Sequence, residues 1–130
     1  MKPTGIDHVV LRVRDRAVAE AFYMDVIGCV LERRQDRIGL TQLRAGASLI
    51  DLLEIDGELG RKGGAAPGEE GRNLDHFCIA IENFDLETVK AELRAKGVAL
   101  GEEGERHGAS GLSVSLYLRD PDGNGLELRG

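Results

Sequence analysis

The residues best suited to do chemistry are two histidines and two carboxylates that recur at matched places along the chain. His8 stands in "IDHVVLRV" and His76 in "LDHFCIAI", 76 − 8 = 68 positions later, and an Asp precedes each of them. Asp51 and Glu127, which are 127 − 51 = 76 positions apart, lie in the last strand-like segment of the first and second halves. Imidazole nitrogen and carboxylate oxygen suit Fe(II), Mn, Ni, Co or Zn. If the halves pair, the four residues predict one divalent metal site with positions left open for substrate oxygens.

Strand parity assigns all four residues to the same kind of face. Side chains alternate across a strand, so the apolar residues that follow each histidine at odd spacing share one face and leave the histidine on the other. Asp51 and Glu127 likewise oppose the apolar residues of their own strands. A lone strand histidine or acid is more often structural. Both halves, however, carry a histidine and an acid on the same face and at matched positions. This duplication favours a chemical role, because burying such groups without partners is costly.

An internal repeat supplies the elements that must position these residues. After each histidine strand the apolar spacing becomes helical, with Asp15 and Gly28 as the predicted start and stop of one helix and Asp85 and Gly97 of the other. Three strand-like segments follow each helix: "CVLERR", "IGLTQLRA" and "SLIDLLEI", then "VALGEE", "LSVSLYLR" and "GLELR". The sequence therefore predicts an α+β fold of two tandem βαβββ modules.

The predicted organisation is a single domain over residues 1–130. Module 1 covers about 4–55, a linker about 56–72 and module 2 about 73–130. The linker, "DGELGRKGGAAPGEEGR", is rich in glycine and charge, which is typical of a flexible connector. A lid over a pocket is the alternative role for this segment.

Composition excludes several classes of protein. A formal net charge of −6 argues against nucleic-acid binding, which needs a surplus of clustered Lys and Arg. No apolar stretch approaches the roughly 20 residues of a membrane span, and the first thirty residues carry charge throughout. We therefore expect a soluble cytoplasmic protein with no membrane partner. Cys29 and Cys78 are expected to be buried thiols without a disulfide.

The sequence resembles the vicinal oxygen chelate superfamily, the group of glyoxalases, bleomycin-resistance proteins and extradiol dioxygenases. The motifs that carry the resemblance are "GIDHVVLRVRD", "AFYMDVIG" and "LYLRDPDGNGLEL", and the resemblance covers nearly the whole chain from the first of them to the last. The resemblance implies a cupped, barrel-like mixed sheet with helices outside, a homodimer, and a metal held by His8, His76 and Glu127, with Asp51 at the fourth ligand position. Glyoxalase I has Glu at that fourth position, and Asp is shorter by about 1.5 Å, so Asp51 acts there either as a ligand or as a base.

The function implied by the resemblance is that of a metal-dependent lyase, isomerase or dioxygenase. Its small substrate would chelate the metal through adjacent oxygens, and Glu127 or Asp51 would transfer a proton. Further candidates for substrate contact are Arg12, Ser115, Tyr117 and His107, the last in the Gly-rich approach "ERHGASG" to a strand.

Two alternatives stay open. One is a fosfomycin-type enzyme that opens an epoxide. The other is a non-catalytic, drug-sequestering protein of the bleomycin-resistance type. The retained metal-ligand types speak against sequestration, as do only two Tyr, three Phe and no Trp to stack on an aromatic drug.

Overall fold

A computed structural model describes all 130 residues and confirms the two βαβββ modules that the repeat predicts. The first module consists of β1 (His8–Val13), α1 (Arg16–Ala21), β2 (Val30–Gln35), β3 (Leu40–Ala45) and β4 (Ser48–Glu54). The second consists of β5 (His76–Ala80), α2 (Leu86–Ala95), β6 (Leu100–Gly108), β7 (Gly111–Arg119) and β8 (Gly125–Arg129). The modules belong to separate compact units, Met1–Asn73 and Leu74–Gly130.

Each module builds one mixed four-stranded sheet, and the two sheets share a topology. The strand order is β1-β4-β3-β2 in the first and β5-β8-β7-β6 in the second. The first and last strands of each module are parallel neighbours, whereas the other pairs are antiparallel. This topology places the strand that carries a histidine directly beside the strand that carries a carboxylate.

Each helix begins where the sequence predicts a cap. The Asp15 carboxylate accepts a hydrogen bond from the Val18 amide at 3.1 Å, and the Asp85 carboxylate accepts one from the Thr88 amide at 2.9 Å. The helical stretch in the first module changes character before it ends, because residues Phe22–Val26 form a π-helical turn. Helix α1 contacts β3 and β4 of its own sheet, and α2 contacts β6 and β7 of the other.

The apolar core of each unit lies on the helix side of its sheet. In the first unit the most deeply buried side chains include Leu11, Val13, Tyr23, Leu43 and Leu52. In the second they include Leu93, Leu116, Leu118, Leu126 and Leu128. Packing these residues against the helix leaves the opposite face of each sheet free for polar groups.

Two segments are more regular than the sequence suggested. Strand β6 continues to Gly108 and includes His107, so the predicted Gly-rich loop is one arm of a hairpin that turns at Ala109 and Ser110. In the predicted linker, residues Gly60–Gly63 form a 3-10 turn. The strand was not predicted over "GERHG", because glycine is depleted in strands and this segment has no alternation of apolar residues. No helix has the length and apolar character needed to cross a membrane.

Candidate functional site

The two sheets set a histidine and a carboxylate in the same register. His8 lies opposite Leu49 on the parallel neighbour, two positions before Asp51. His76 lies opposite Gly125, two positions before Glu127. Residues two apart on a strand point to the same side. Each module therefore carries its histidine and its acid on the same face of the sheet, as strand parity predicted. The acid lies two residues beyond the partner of the histidine.

A neighbouring aspartate holds each histidine ring through one nitrogen. His8 Nδ1 lies 2.7 Å from the Asp7 carboxylate, and His76 Nδ1 lies 2.6 Å from that of Asp75. The ring must donate in both contacts, since a carboxylate only accepts, so the proton is placed on Nδ1. In the neutral ring this leaves the Nε2 lone pair unshared, the arrangement usual for a histidine that binds a metal.

The two aspartates are functional candidates that were not predicted from the sequence. Asp7 and Asp75 are both exposed, and they stand at the same place in the two copies of the repeat. The signal that could have found them is the repeated Asp-His pair itself. The hydrogen bond to Asp7, helped by the negative charge of Asp51, raises the pKa of His8 above its ordinary value.

In the second module the histidine and the carboxylate are in direct contact. His76 Nε2 lies 3.3 Å from Glu127 Oε2. The Glu127 side chain is buried, and two hydroxyl groups hold it from the neighbouring strand β7. Tyr117 donates a hydrogen bond to Oε2 at 3.1 Å, and Ser115 donates a short one to Oε1. Ser115 and Tyr117 were predicted as substrate contacts, and the structure shows them as hydrogen-bond donors to Glu127.

The surroundings of Glu127 keep its carboxylate charged. Burial pushes its pKa upward, but hydrogen bonds from Ser115 and Tyr117 and the charges of His76 and Arg129 outweigh burial, so the pKa lies below its ordinary value. The same contacts raise the pKa of Tyr117, first through burial and then through its bond to the carboxylate. Glu127 is therefore an anion near neutral pH and is suited to coordinate a cation.

In the first module the carboxylate has an amide as its partner. Gln42 Nε2 donates to both oxygens of Asp51, at 3.1 and 3.0 Å, and Asp51 is only 5% exposed. Arg33 donates twice to Gln42 Oε1, at 3.1 and 2.8 Å, and so turns the amide nitrogen toward the acid. Gln42 and Arg33 were not predicted from the sequence, because a polar residue on a strand carries no signal without the register of the sheet.

The remaining sequence-predicted residues are placed differently. Arg12 shares the face of His8, but its guanidinium donates to three carbonyl oxygens of the linker, those of Gly63, Gly64 and Ala65, at 2.9, 2.8 and 3.0 Å. His107 is exposed and lies opposite Leu112. Residues paired across two strands point to the same side, and Leu112 points to the side opposite Ser113 and Ser115. His107 therefore points to the other side of the sheet from Glu127.

Cys78 is exposed, which corrects the expectation of a buried thiol. It shares the face of His76 and lies opposite Glu127 on β8. Partial burial of its sulfur, together with the nearby charge of Glu127, raises the pKa of the thiol to about 11. The thiol is therefore protonated near neutral pH and is a poor ligand or nucleophile in this state.

The chemistry of the donor groups fits a divalent metal ion. No set of three or more His, Cys, Asp and Glu side chains lies together as a ready ligand group, so each module offers a pair. Two ligand atoms that each lie about 2.1 Å from one ion are about 3.0 Å apart at a right angle and about 3.4 Å apart at a tetrahedral angle. The 3.3 Å between His76 Nε2 and Glu127 Oε2 falls within that range.

Comparison with known proteins connects this geometry to a family. The model described as "Glyoxalase/Bleomycin resistance protein/Dioxygenase superfamily" matches residues 5–128. The virulence protein STM3117 of Salmonella typhimurium is 33% identical over 126 residues, which cover 95% of this chain and 81% of that protein. The crystal structure of STM3117 matches with a TM-score of 0.81 and 30% identity, covering 99% of this chain and 98% of that one.

Two further relatives carry names of enzymes. Catechol-2,3-dioxygenase of Bacillus subtilis is 31% identical over 126 residues, which are 96% of this chain but only 41% of that protein. A probable lactoylglutathione lyase of Vibrio cholerae is 30% identical over 126 residues, which are 93% of this chain and 86% of that protein. The similarity thus extends over nearly the whole chain in each case, while the names of the relatives differ.

Proposed function

Because the chain belongs to the glyoxalase, bleomycin-resistance protein and dioxygenase superfamily, we propose that it is a divalent-metal-dependent enzyme. Its substrate is a small molecule that chelates the metal through two adjacent oxygens. The reaction is glyoxalase-like or dioxygenase-like, in keeping with relatives named as a lactoylglutathione lyase and a catechol dioxygenase. The proposed ligands are His8, His76 and Glu127, with Asp51 as a fourth ligand or as the base.

The observation that carries the proposal is the repeated aspartate-histidine pair. In both modules Nδ1 lies within hydrogen-bond distance of an aspartate carboxylate, which makes Nε2 the ring nitrogen that can bind a cation. A histidine that only fills space has no need of a fixed tautomer. Metal-binding histidines are expected to have a fixed tautomer. Here the same arrangement occurs in both modules, and each histidine lies on the same face as a buried carboxylate two residues beyond its strand partner.

The metal, when bound, supplies Lewis-acid chemistry that stabilises negative charge on the substrate oxygens. The protein residues then have separate tasks. Glu127, held by two hydroxyl groups, keeps a fixed anion beside His76. Asp51, held by the Gln42 amide, places a second carboxylate that can take a proton from a neighbouring carbon. Both acids are largely buried, which limits the access of water to their charged oxygens.

Metal binding by matched histidine variants tests the proposal. The wild-type protein should bind one divalent ion per site by elemental analysis, after reconstitution with Fe(II), Mn, Co, Ni or Zn. His8→Ala and His76→Ala should each weaken binding by about 100-fold or more. His107→Ala is the control, because that histidine faces away from Glu127. The assignment of His8 and His76 as metal ligands is wrong if His107→Ala weakens metal binding equally, or if the wild type binds none of the five ions.

The choice between roles for Asp51 has its own test. Asp51→Asn keeps the size of the side chain and removes its charge. Loss of turnover with metal still bound identifies Asp51 as the base, whereas loss of the metal identifies it as a ligand. Turnover is screened with thiol adducts of 2-oxoaldehydes and with catechols, the substrate classes suggested by the named relatives.

The proposed assembly is a homodimer. Light scattering of the purified protein measures its mass against the 14.1 kDa of one chain. Mixing His8→Ala subunits with Glu127→Ala subunits then asks whether one chain or two supply a complete ligand set. Restored metal binding in the mixture requires ligands from two chains, and its absence assigns the set to one.

A further inference from the structure

Two arginines, one in each module, contain the only buried side-chain polar atoms without a hydrogen-bond partner. These atoms are Nε of Arg12 and Nε of Arg129. A buried N–H group without an acceptor costs free energy, so native proteins keep few of them. Each unpaired N–H group therefore needs an explanation. Because the two groups occur at related places in the two modules, one explanation is expected to apply to both.

The sheet register gives the two arginines the same place relative to the histidine and the acid. Arg12 lies opposite Leu53, two positions beyond Asp51. Arg129 lies opposite Ala80 and is two positions beyond Glu127. Along the polar face of each sheet, the order is thus histidine, carboxylate and arginine in steps of two residues.

The arginines differ in how many of their five N–H donors are already in use. Arg12 donates three hydrogen bonds to the linker carbonyls described above. Arg129 donates one, from Nη2 to the carbonyl oxygen of Gly111 at 2.6 Å, and forms no ion pair. It is nevertheless only 5% exposed. A buried guanidinium is normally paired with an anion. The charge of Arg129 acts on the Glu127 carboxylate, but no hydrogen bond joins the two, so Arg129 has donors left for a further anion.

A glycine makes the space that the Arg129 side chain occupies. A Cβ at Gly108 would collide with Nη1 of Arg129, so a larger residue there would require the guanidinium to move. The hairpin of β6 and β7 closes with Gly108 opposite Gly111, the residue whose carbonyl accepts the bond from Arg129. The end of the hairpin is thus shaped around this charge.

We propose that Arg129 binds an oxyanion, either a carboxylate or a phosphate group, of the molecule that meets His76 and Glu127. The identification of that molecule as the substrate rests on the function proposed above. Two residues along a strand correspond to about 7 Å. The substrate is accordingly a small acid that carries its anionic group about 7 Å from the oxygens that chelate the metal. Nε and one Nη of Arg129 form the fork that recognises it.

The test follows the Nε–H signal of Arg129 by ¹⁵N nuclear magnetic resonance in the full-length protein. The signal is assigned by its loss in Arg129→Lys, which keeps the charge. Inorganic phosphate, succinate and chloride are then added separately to protein freed of metal with EDTA. We expect saturable movement with phosphate, with succinate or with both, and none with chloride. Movement with one probe alone identifies the chemistry of the anion. No saturable movement with either oxyanion overturns the proposal.

Calorimetry of variants gives a second measurement. Arg129→Met should weaken binding of the effective anion by roughly tenfold or more. Arg119→Met is the matched control, because Arg119 also donates one bond to a glycine carbonyl but is exposed, and it should leave the affinity unchanged. Unchanged affinity in Arg129→Met would contradict the proposal, as would an equal loss in Arg119→Met.

The two proposals fail in different ways. Arg129→Met should still bind the divalent metal, and His76→Ala should still bind the anion. If the anion binds but no metal does, the enzyme function is wrong while the oxyanion site stands. If the metal binds but neither oxyanion does, only the role of Arg129 is wrong.

Discussion

Ser115→Ala tests how Glu127 is kept ionised. Ser115 is completely buried, and its hydroxyl donates to a carboxylate that is itself only 6% exposed. Hydrogen bonds to charged groups contribute about 1.5–3 kcal/mol to stability, whereas neutral ones contribute about 0.5–1.5 kcal/mol. Near neutral pH we therefore expect Ser115→Ala to lower the free energy of unfolding by about 1.5–3 kcal/mol.

The pH dependence of this loss has a definite sign. The pKa of Glu127 lies below its ordinary value in the folded protein, so its ionised form contributes stability above the unfolded-state pKa of about 4.3. That contribution disappears as the pH falls through the folded-state pKa. The difference between Ser115→Ala and the wild type should thus shrink, below about pH 4, toward the value of about 0.5–1.5 kcal/mol for a neutral bond.

Urea denaturation measured at several pH values provides the assay for this variant. Ser113→Ala is the control, because Ser113 lies on the same face of β7 two residues away and has no carboxylate partner. The control should change stability by less than about 0.5 kcal/mol. Equal losses for the two serines, or a loss for Ser115→Ala that stays constant with pH, would refute the role assigned to the hydrogen bond.

Two further predictions concern other parts of the polar faces. Gln42→Leu removes the amide that donates to both oxygens of the buried Asp51, so it should lower the free energy of unfolding in urea by about 1.5–3 kcal/mol. Gln35→Leu, on a neighbouring strand, is the control, and a similar loss there would contradict the special role of Gln42. Cys78, with a thiol pKa of about 11, should react slowly with iodoacetamide at pH values near 8 when alkylation is followed by mass spectrometry. Because the charge of Glu127 helps to raise that pKa, Glu127→Gln should accelerate alkylation severalfold, and an unchanged rate would show that burial alone is responsible.

The fold was predictable because its signals are local and occur twice. Asp15 and Asp85 begin the helices as expected, and Gly28 and Gly97 follow them with positive φ angles of 89° and 75°. Duplication strengthened each weak signal, since a strand or cap read in one half could be checked in the other. The π-helical turn at Phe22–Val26 has no such signal, because it differs from an α-helix in its hydrogen-bond pattern, with the Ile27 amide donating to the Phe22 carbonyl oxygen.

The site was predictable in its charged members and not in their partners. Parity along a strand places His8 with its even-numbered neighbours, and the sheet register agrees. Parity does not say which residue lies opposite on the next strand, and for that reason Gln42 was not predicted. The burial of Arg129 was not predicted for a related reason, since an arginine near the end of a strand is usually exposed and only the folded chain shows this one buried.

The two buried acids differ in the kind of group that holds them. A hydroxyl group can donate or accept, so Ser115 and Tyr117 can reverse their bonds if a proton arrives on Glu127. The Gln42 nitrogen can only donate, and Arg33 prevents the amide from turning over. Asp51 is thus held by a donor that cannot become an acceptor. The duplication has produced one carboxylate held by groups that can exchange donor and acceptor roles and another held by a group whose role is fixed.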